Sequence, residues 1–186
     1  GVSMKRVLVP IAEGTEELEA VSIVDVLRRA GAEVTVASVM ERLQVTASRG
    51  VKLVADARIG DCAAETYDLI ALPGGMPGAV HLRDSAELTA LLQAQATAGR
   101  LYAAICAAPV VVLQHHGLLE GRRATCHPSF EKELRNPEAV AQRVVVDGNC
   151  VTSRGPGTAV EFALQLTALL FGEAKAREVG AAMLVR

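Results

Sequence analysis

The 186-residue chain has no tryptophan, two tyrosines and three phenylalanines, so aromatic residues make up only 3% of it. That scarcity argues against a β-sandwich. The Val, Ala and Leu that supply most of its 51% hydrophobic content suit parallel strands buried between helices. An excess of one charge sign is also lacking: 19 Lys and Arg face 21 Asp and Glu, a net charge of -2, and the basic residues are scattered. Nucleic acid is therefore not expected as a direct partner. Long apolar runs are missing too. The uncharged stretch from Leu101 to Leu113 has 13 residues, fewer than the roughly 20 a membrane-spanning helix needs, so no membrane partner is expected. The four cysteines, Cys62, Cys106, Cys126 and Cys150, show no Cys-x-x-Cys spacing, and His81 has no companion at metal-ligand spacing. Free thiols in a reducing, cytoplasmic compartment and no metal are the expectation.

What is present is one domain's worth of alternating elements. Gly1-Val2-Ser3 ahead of Met4 reads as a vector remnant, which leaves a single domain over residues 4–186. Arg6–Ile11 reads as a strand, Glu16–Ala30 as a helix closed by Gly31, and Glu33–Val39 as a second strand, together a βαβ unit. Leu43–Thr46 and Val51–Ala55 form a hairpin inserted on an edge. Leu69–Leu72 is a buried strand, and Ser85 caps a helix running to about Ala98. Leu101–Ile105 is a strand and Ala107–His115 a helix, with His115 and His116 at its end as surface residues. Arg123–Cys126 is strand-like, Val144–Asp147 and Cys150–Ser153 form a hairpin, and Thr158–Phe171 is the final helix. No repeat or linker interrupts the order. The sum is a doubly wound three-layer α/β domain, with its site expected beyond the carboxyl ends of the strands.

Cys106 stands where a strand gives way to a helix, with Ala104 and Ala108 two residues to either side. Such an elbow crowds those flanking positions, so only small residues fit, as around the nucleophile of hydrolases. The helix start is expected to lower the thiol pKa and favour the thiolate. Glu19 is the second anomaly, because a helical wheel puts it between Val26 and Ala30 and beside Ile23, inside the apolar stripe. It is either a buried acid with a raised pKa that shuttles a proton, or a stripe-edge acid serving the helix dipole with Glu16 and Glu17. Gly74 and Gly75 follow a buried strand, where their N–H groups can form an oxyanion site. His127 follows a strand-like piece, where a base for Cys106 can lie.

Four motifs occur in order: Glu-Glu-Leu-Glu at 16–19, Leu-Pro-Gly-Gly at 72–75, Ala-Ala-Ile-Cys-Ala-Ala-Pro at 103–109 and Thr-Ser-Arg-Gly-Pro-Gly-Thr at 152–158. With them the chain resembles the ThiJ/PfpI superfamily, and within it the branch of the parkinsonism-associated deglycase, over its length from Met4. The resemblance implies a flavodoxin-like fold, a homodimer, no cofactor, and a reactive Cys106 hydrogen-bonded to a protonated Glu19. It also implies that Gly75 and the Ala107 N–H hold the oxyanion and that His127 stands near the sulfur. Arg29 and Arg49 would line an anion pocket near the dimer interface. Related branches use their histidine in a Cys-His-acid protease triad, but Cys126 and Pro128 flank His127 here with no acid beside it.

The activity this implies is a glyoxalase or deglycase acting on methylglyoxal, related dicarbonyls or their early glycation adducts, giving lactate or glycolate. The alternative is a stress-response sensor or chaperone in which Cys106 is oxidised to a sulfinate. Protease or amidase activity and a role in thiamine-precursor metabolism have less to support them.

Overall fold

Strands that are apolar on both faces need cover on both, and this requirement organises the chain. The computed structural model describes residues 4–186, so the expectation of a vector remnant at residues 1–3 falls outside the described residues. In chain order the elements are β1 (Arg6–Ile11), α1 (Glu17–Arg29), β2 (Glu33–Ser38), β3 (Gln44–Thr46), β4 (Lys52–Val54), β5 (Ala57–Arg58), β6 (Leu69–Leu72), α2 (Gly78–Asp84), α3 (Ala86–Thr97), β7 (Leu101–Ile105), β8 (Val144–Asp147), β9 (Cys150–Ser153), α4 (Ala159–Phe171) and α5 (Glu173–Ala182). Among the described residues seven strands form one sheet in the order β5-β2-β1-β6-β7-β9-β8. All neighbours are parallel except β8, which runs antiparallel to β9.

The strands divide their side chains with period two. Val7, Val9, Leu69, Ala71, Ala103 and Ile105 pack under Ile23 and Leu27 of α1 and Phe162 and Leu166 of α4. The alternate residues Leu8, Ile70, Leu72, Tyr102 and Ala104 pack under Leu82 of α2 and Leu88 and Leu92 of α3. This is the flavodoxin-like α/β/α arrangement. Helix ends follow local chemistry: the Glu16 carboxylate accepts the Leu18 N–H at 2.5 Å to start α1, and Ser85 Oγ accepts the Leu88 N–H at 3.2 Å to start α3.

Five expectations need correction. Thr158–Phe171 is not the final helix: α5 follows Gly172, and its only buried residues are Val179 and a Gly180 packed on Leu164, so no apolar stripe announces it. The short helix α2 after Pro77 also escaped the pattern. Arg123–Cys126 is not a strand, because the Thr125 N–H is bound by a side chain, Thr152 Oγ1 at 3.0 Å, instead of a ladder partner. The segment after Cys106 is a wide π-helical turn, Pro109–Gln114. The β3–β4 hairpin forms a two-stranded sheet of its own, and the two-residue β5 takes the edge beside β2.

The chain passes from β1 to β2 on one side and returns to β6 on the other, so the order in which strands are added reverses between the parallel β1 and β6. Loops beyond the carboxyl ends of these strands form a crevice at such a point. The loops after β1, β6 and β7 carry Glu16, Gly74, Gly75 and Cys106.

Candidate active site

Cys106 follows the last residue of β7 with φ of 69°, a left-handed conformation that a side chain with a Cβ rarely adopts. Two backbone bonds hold it there. Its N–H donates to Ser153 O at 3.0 Å, extending the β7–β9 pairing by one residue, and its carbonyl accepts the His127 N–H at 2.9 Å. Ala104 and Ala108 are fully buried, so the elbow has the small flanking residues it requires.

Glu19 resolves the ambiguity of the helical wheel: it is fully buried. Its Oε1 accepts the Gly74 N–H at 2.8 Å, while Oε2 is buried with no hydrogen-bond partner among the described residues. The carboxyl meets the Cys106 thiol. Burial pushes Glu19 up to about 7 against the opposing pull of the Gly74 N–H. For Cys106 the sequence expectation is corrected. Burial, then the charge and hydrogen bond of Glu19, push the thiol up to about 12, and the N–H groups of Ala107 and Gly75 only partly offset this. The partial charge at a turn beginning with Pro109 is outweighed by desolvation.

These values belong to the pair. Both groups are protonated below about 7, and above it they hold a single proton between them. With that proton on Oε2 and the negative charge on sulfur, the otherwise orphaned Oε2 gains an acceptor and the thiolate gains the Ala107 and Gly75 N–H groups. This is the placement that makes the sulfur nucleophilic; with the proton on sulfur instead, the S–H donates to the ionised carboxyl.

Gly74 is wedged between the two: a Cβ on it would lie 2.6 Å from Cys106 Cβ and 2.9 Å from Glu19 Oε1. Its N–H is taken by Glu19 and so positions the acid, whereas Gly75 and Ala107 remain as donors at the sulfur. Gly75, with φ of 87°, interlocks with the loop after β1, where a Cβ would meet Glu16 N at 2.5 Å.

His127 approaches Cys106 through its backbone, while its ring is engaged by Ser129. Nδ1 lies 2.6 Å from Ser129 Oγ and accepts the Ser129 N–H at 3.1 Å. An Nδ1 that accepts leaves the proton of the neutral ring on Nε2, so Nε2 is a donor and not a base for the thiol. A hydroxyl stands where a triad needs a carboxylate. His116 is not a plain surface residue: its Nε2 lies 2.9 Å from Arg83 O and 3.3 Å from Thr89 Oγ1.

Arg29 pairs with Asp25 at 2.5 Å, and Arg49 is exposed at the β3–β4 turn. Among the described residues neither guanidinium hydrogen-bonds to Cys106 or Glu19. Sequence reasoning missed Glu17, read only as a first-turn acid. Its carboxylate accepts from Ser48 Oγ at 2.8 Å, Arg49 N at 2.9 Å and Val51 N at 3.2 Å, tying the hairpin turn to α1. Burial raises its pKa, but these bonds outweigh that and leave it lowered. Among the described residues no group of three or more His, Cys, Asp or Glu stands close enough to hold a metal ion, and no helix is long and apolar enough to cross a membrane.

Comparison with known proteins gives consistent matches. Residues 5–169 match the profile of the DJ-1/PfpI family. The protein DJ-1 homolog B of Arabidopsis thaliana is 49% identical over 99% of this chain, which spans only 42% of that relative's length. The glutathione-independent glyoxalase DJR-1.2 of Caenorhabditis elegans is 36% identical over 88% of this chain and 87% of its own. A solved structure of oxidized Toxoplasma gondii DJ-1 superposes with a TM-score of 0.95 at 51% identity, covering 97% of this chain and 98% of the other.

Proposed function

The chain belongs to the DJ-1/PfpI family, and from that premise we propose that it is a cofactor-independent glyoxalase that converts methylglyoxal and related dicarbonyls to hydroxy acids. The observation that carries this reading is the Glu19–Cys106 contact, a fully buried acid with an unpartnered Oε2 against a sulfur on a strained elbow. The relative named as a glutathione-independent glyoxalase supports it.

The sulfur of Cys106 adds to the aldehyde carbon, and the carbonyl electrons move to oxygen, which takes the proton held on Glu19. The product is a hemithioacetal facing an ionised Glu19. Glu19 then removes the proton from C1 and returns it to C2, while the hydroxyl hydrogen shifts from the first oxygen to the second. The intermediate is an enediol, and the N–H groups of Gly75 and Ala107 are the donors available to its developing charge. Water attacks the resulting thioester and the C–S bond breaks; one proton of the water returns to the sulfur–Glu19 pair, the other passes to solvent, and lactate leaves as the anion. Early glycation adducts release free dicarbonyl reversibly, so the same chemistry drains them and accounts for a deglycase effect.

The enediol makes the route testable. In D2O the lactate is expected to carry deuterium at C2 in a substantial share of molecules; lactate with protium fully retained there would exclude this path.

We further propose a homodimer and a cytoplasmic location. Leu18 and Val21 of α1 and Val51 and Val54 of the hairpin expose apolar side chains. They flank a groove of about 620 Å³ lined by Val24, Arg29 and Leu53. A second copy covering this face would bring Arg29 to the interface. Sedimentation equilibrium is expected to give twice the 19.5 kDa chain mass, and Val54→Asp to halve it; a wild-type protein sedimenting as a single chain would refute the dimer.

A further inference from the structure

The two bonds that hold the Cys106 elbow come from segments far apart in sequence. Ser153, at the end of β9, accepts the Cys106 N–H, and His127 donates to the Cys106 carbonyl. Neither segment is fixed by a strand ladder beyond these points, since residues 123–126 pair with no strand and β9 ends at Ser153. A residue in a sparsely populated backbone conformation persists only where its surroundings over-determine it.

Arg154 joins the two segments. It follows Ser153, and its side chain reaches across to the His127 segment, where Nε donates to Cys126 O at 3.1 Å and Nη2 pairs with the Glu131 carboxylate. Its own N–H donates to Thr158 Oγ1 at 3.3 Å, and that hydroxyl lies 2.7 Å from Ser153 Oγ. The His127 ring lies against the next residue, where a Cβ on Gly155 would be 3.4 Å from its Cδ2. Arg154 and His127 also line one cleft of about 420 Å³.

We propose that Arg154, through Glu131 and the Cys126 carbonyl, is a positioning residue that clamps the Ser153 and His127 segments together and so holds the Cys106 elbow in its strained, reactive conformation. It touches no reacting atom; its effect passes through the two backbone bonds to Cys106. The turnover part of this inference rests on the glyoxalase reading, but the state of the thiol does not.

The test follows iodoacetamide modification of Cys106 against pH by peptide mass, alongside methylglyoxal kinetics. Wild type is expected to show the midpoint of the Glu19–Cys106 pair near 7. Arg154→Ala is expected to move it up by about one unit, towards the ordinary thiol value of about 8.5. Its kcat should fall roughly 10- to 100-fold, the scale of an ångström-level misplacement, with KM changed less than about threefold. Arg154→Lys should recover most of both. Besides the pair itself, Glu16 is the charged group that acts on Glu19, and Arg154→Ala leaves Glu131 as an unpaired negative charge. The double variant Arg154→Ala/Glu131→Ala removes that charge, and the clamp predicts that it behaves like the single variant. A double variant that returned to the wild-type midpoint would overturn the proposal in favour of simple charge. So would an Arg154→Ala midpoint and kcat unchanged in protein shown to be folded by circular dichroism. Should Arg154→Ala not fold, Glu131→Ala carries the same test, with the same shift expected and an unchanged profile overturning it. A shifted midpoint in a protein whose wild type makes no lactate would leave the clamp standing and remove the glyoxalase reading instead.

Discussion

Glu19→Gln is expected to lower methylglyoxal turnover by roughly 100- to 10,000-fold, the range a positioned general acid–base group contributes, and at the same time to stabilise the fold above pH 7. The glutamine keeps the bond from the Gly74 N–H but cannot carry a proton from C1 to C2. The stability change follows from the raised carboxyl. Unfolded, Glu19 loses its proton near its ordinary value of 4.5; folded, it holds it to about 7. The folded state therefore binds the extra proton between these values, and stability falls as pH rises through that window. The full penalty, up to about 3 kcal/mol, is present only above the folded value and absent below the unfolded one. Glutamine escapes it, so at pH 8 the variant should melt about 5–10 °C higher than wild type, with the two curves converging near pH 4.5. A variant that melts lower at pH 8, or turns over as fast as wild type, would contradict the assignment of Glu19 as the buried proton carrier.

Gly74→Ala is expected to remove activity without altering any group that moves a proton. The added methyl would lie 2.6 Å from Cys106 Cβ, 2.8 Å from Ile105 O and 2.9 Å from Glu19 Oε1. None of the three can move freely, because Ile105 is in β7, Cys106 is held by two backbone bonds, and Glu19 is anchored on the Gly74 N–H itself. The methyl must push the acid and the sulfur apart. Overpacking of this kind costs about 1–3 kcal/mol of stability, and separating the pair should cost roughly 100-fold in turnover. Gly60→Ala is the control, since a Cβ there meets nothing within 4 Å. Ordinary turnover in Gly74→Ala would mean that Cys106 and Glu19 do not act in contact.

Much of this was legible in the residue order because burial writes a period. The apolar runs at 6–11, 69–72 and 101–105 announced strands covered on both faces, and Ala104, Cys106 and Ala108 announced the elbow. Glu19 stood out for the same reason, as a carboxylate inside the apolar stripe of α1, although the wheel alone could not say whether it was buried. What stayed illegible depends on contacts between distant segments. The direction of the Cys106 shift turned on desolvation, which no local pattern reports, and the helix-start argument gave the wrong sign. The Gly74 N–H looked like an oxyanion donor until the structure showed Glu19 occupying it. Ser129 decides the His127 tautomer, yet two residues after a histidine a serine carries no signal. Arg154 lies within a recognised motif, but its partners Cys126 and Glu131 come from another loop. The helix α5 was lost because a glycine, Gly180, serves as a packing position and reads as a breaker.

The central claim is that Cys106 turns over, with Glu19 as its only proton carrier and no cofactor. Its most direct test is the amount of lactate formed per subunit from methylglyoxal, with a chelator present and glutathione absent, beside a Cys106→Ser control. Many equivalents from wild type and none above background from the variant is the predicted result. One equivalent or less, with the adduct mass retained on Cys106, would contradict it and make the thiol a sensor.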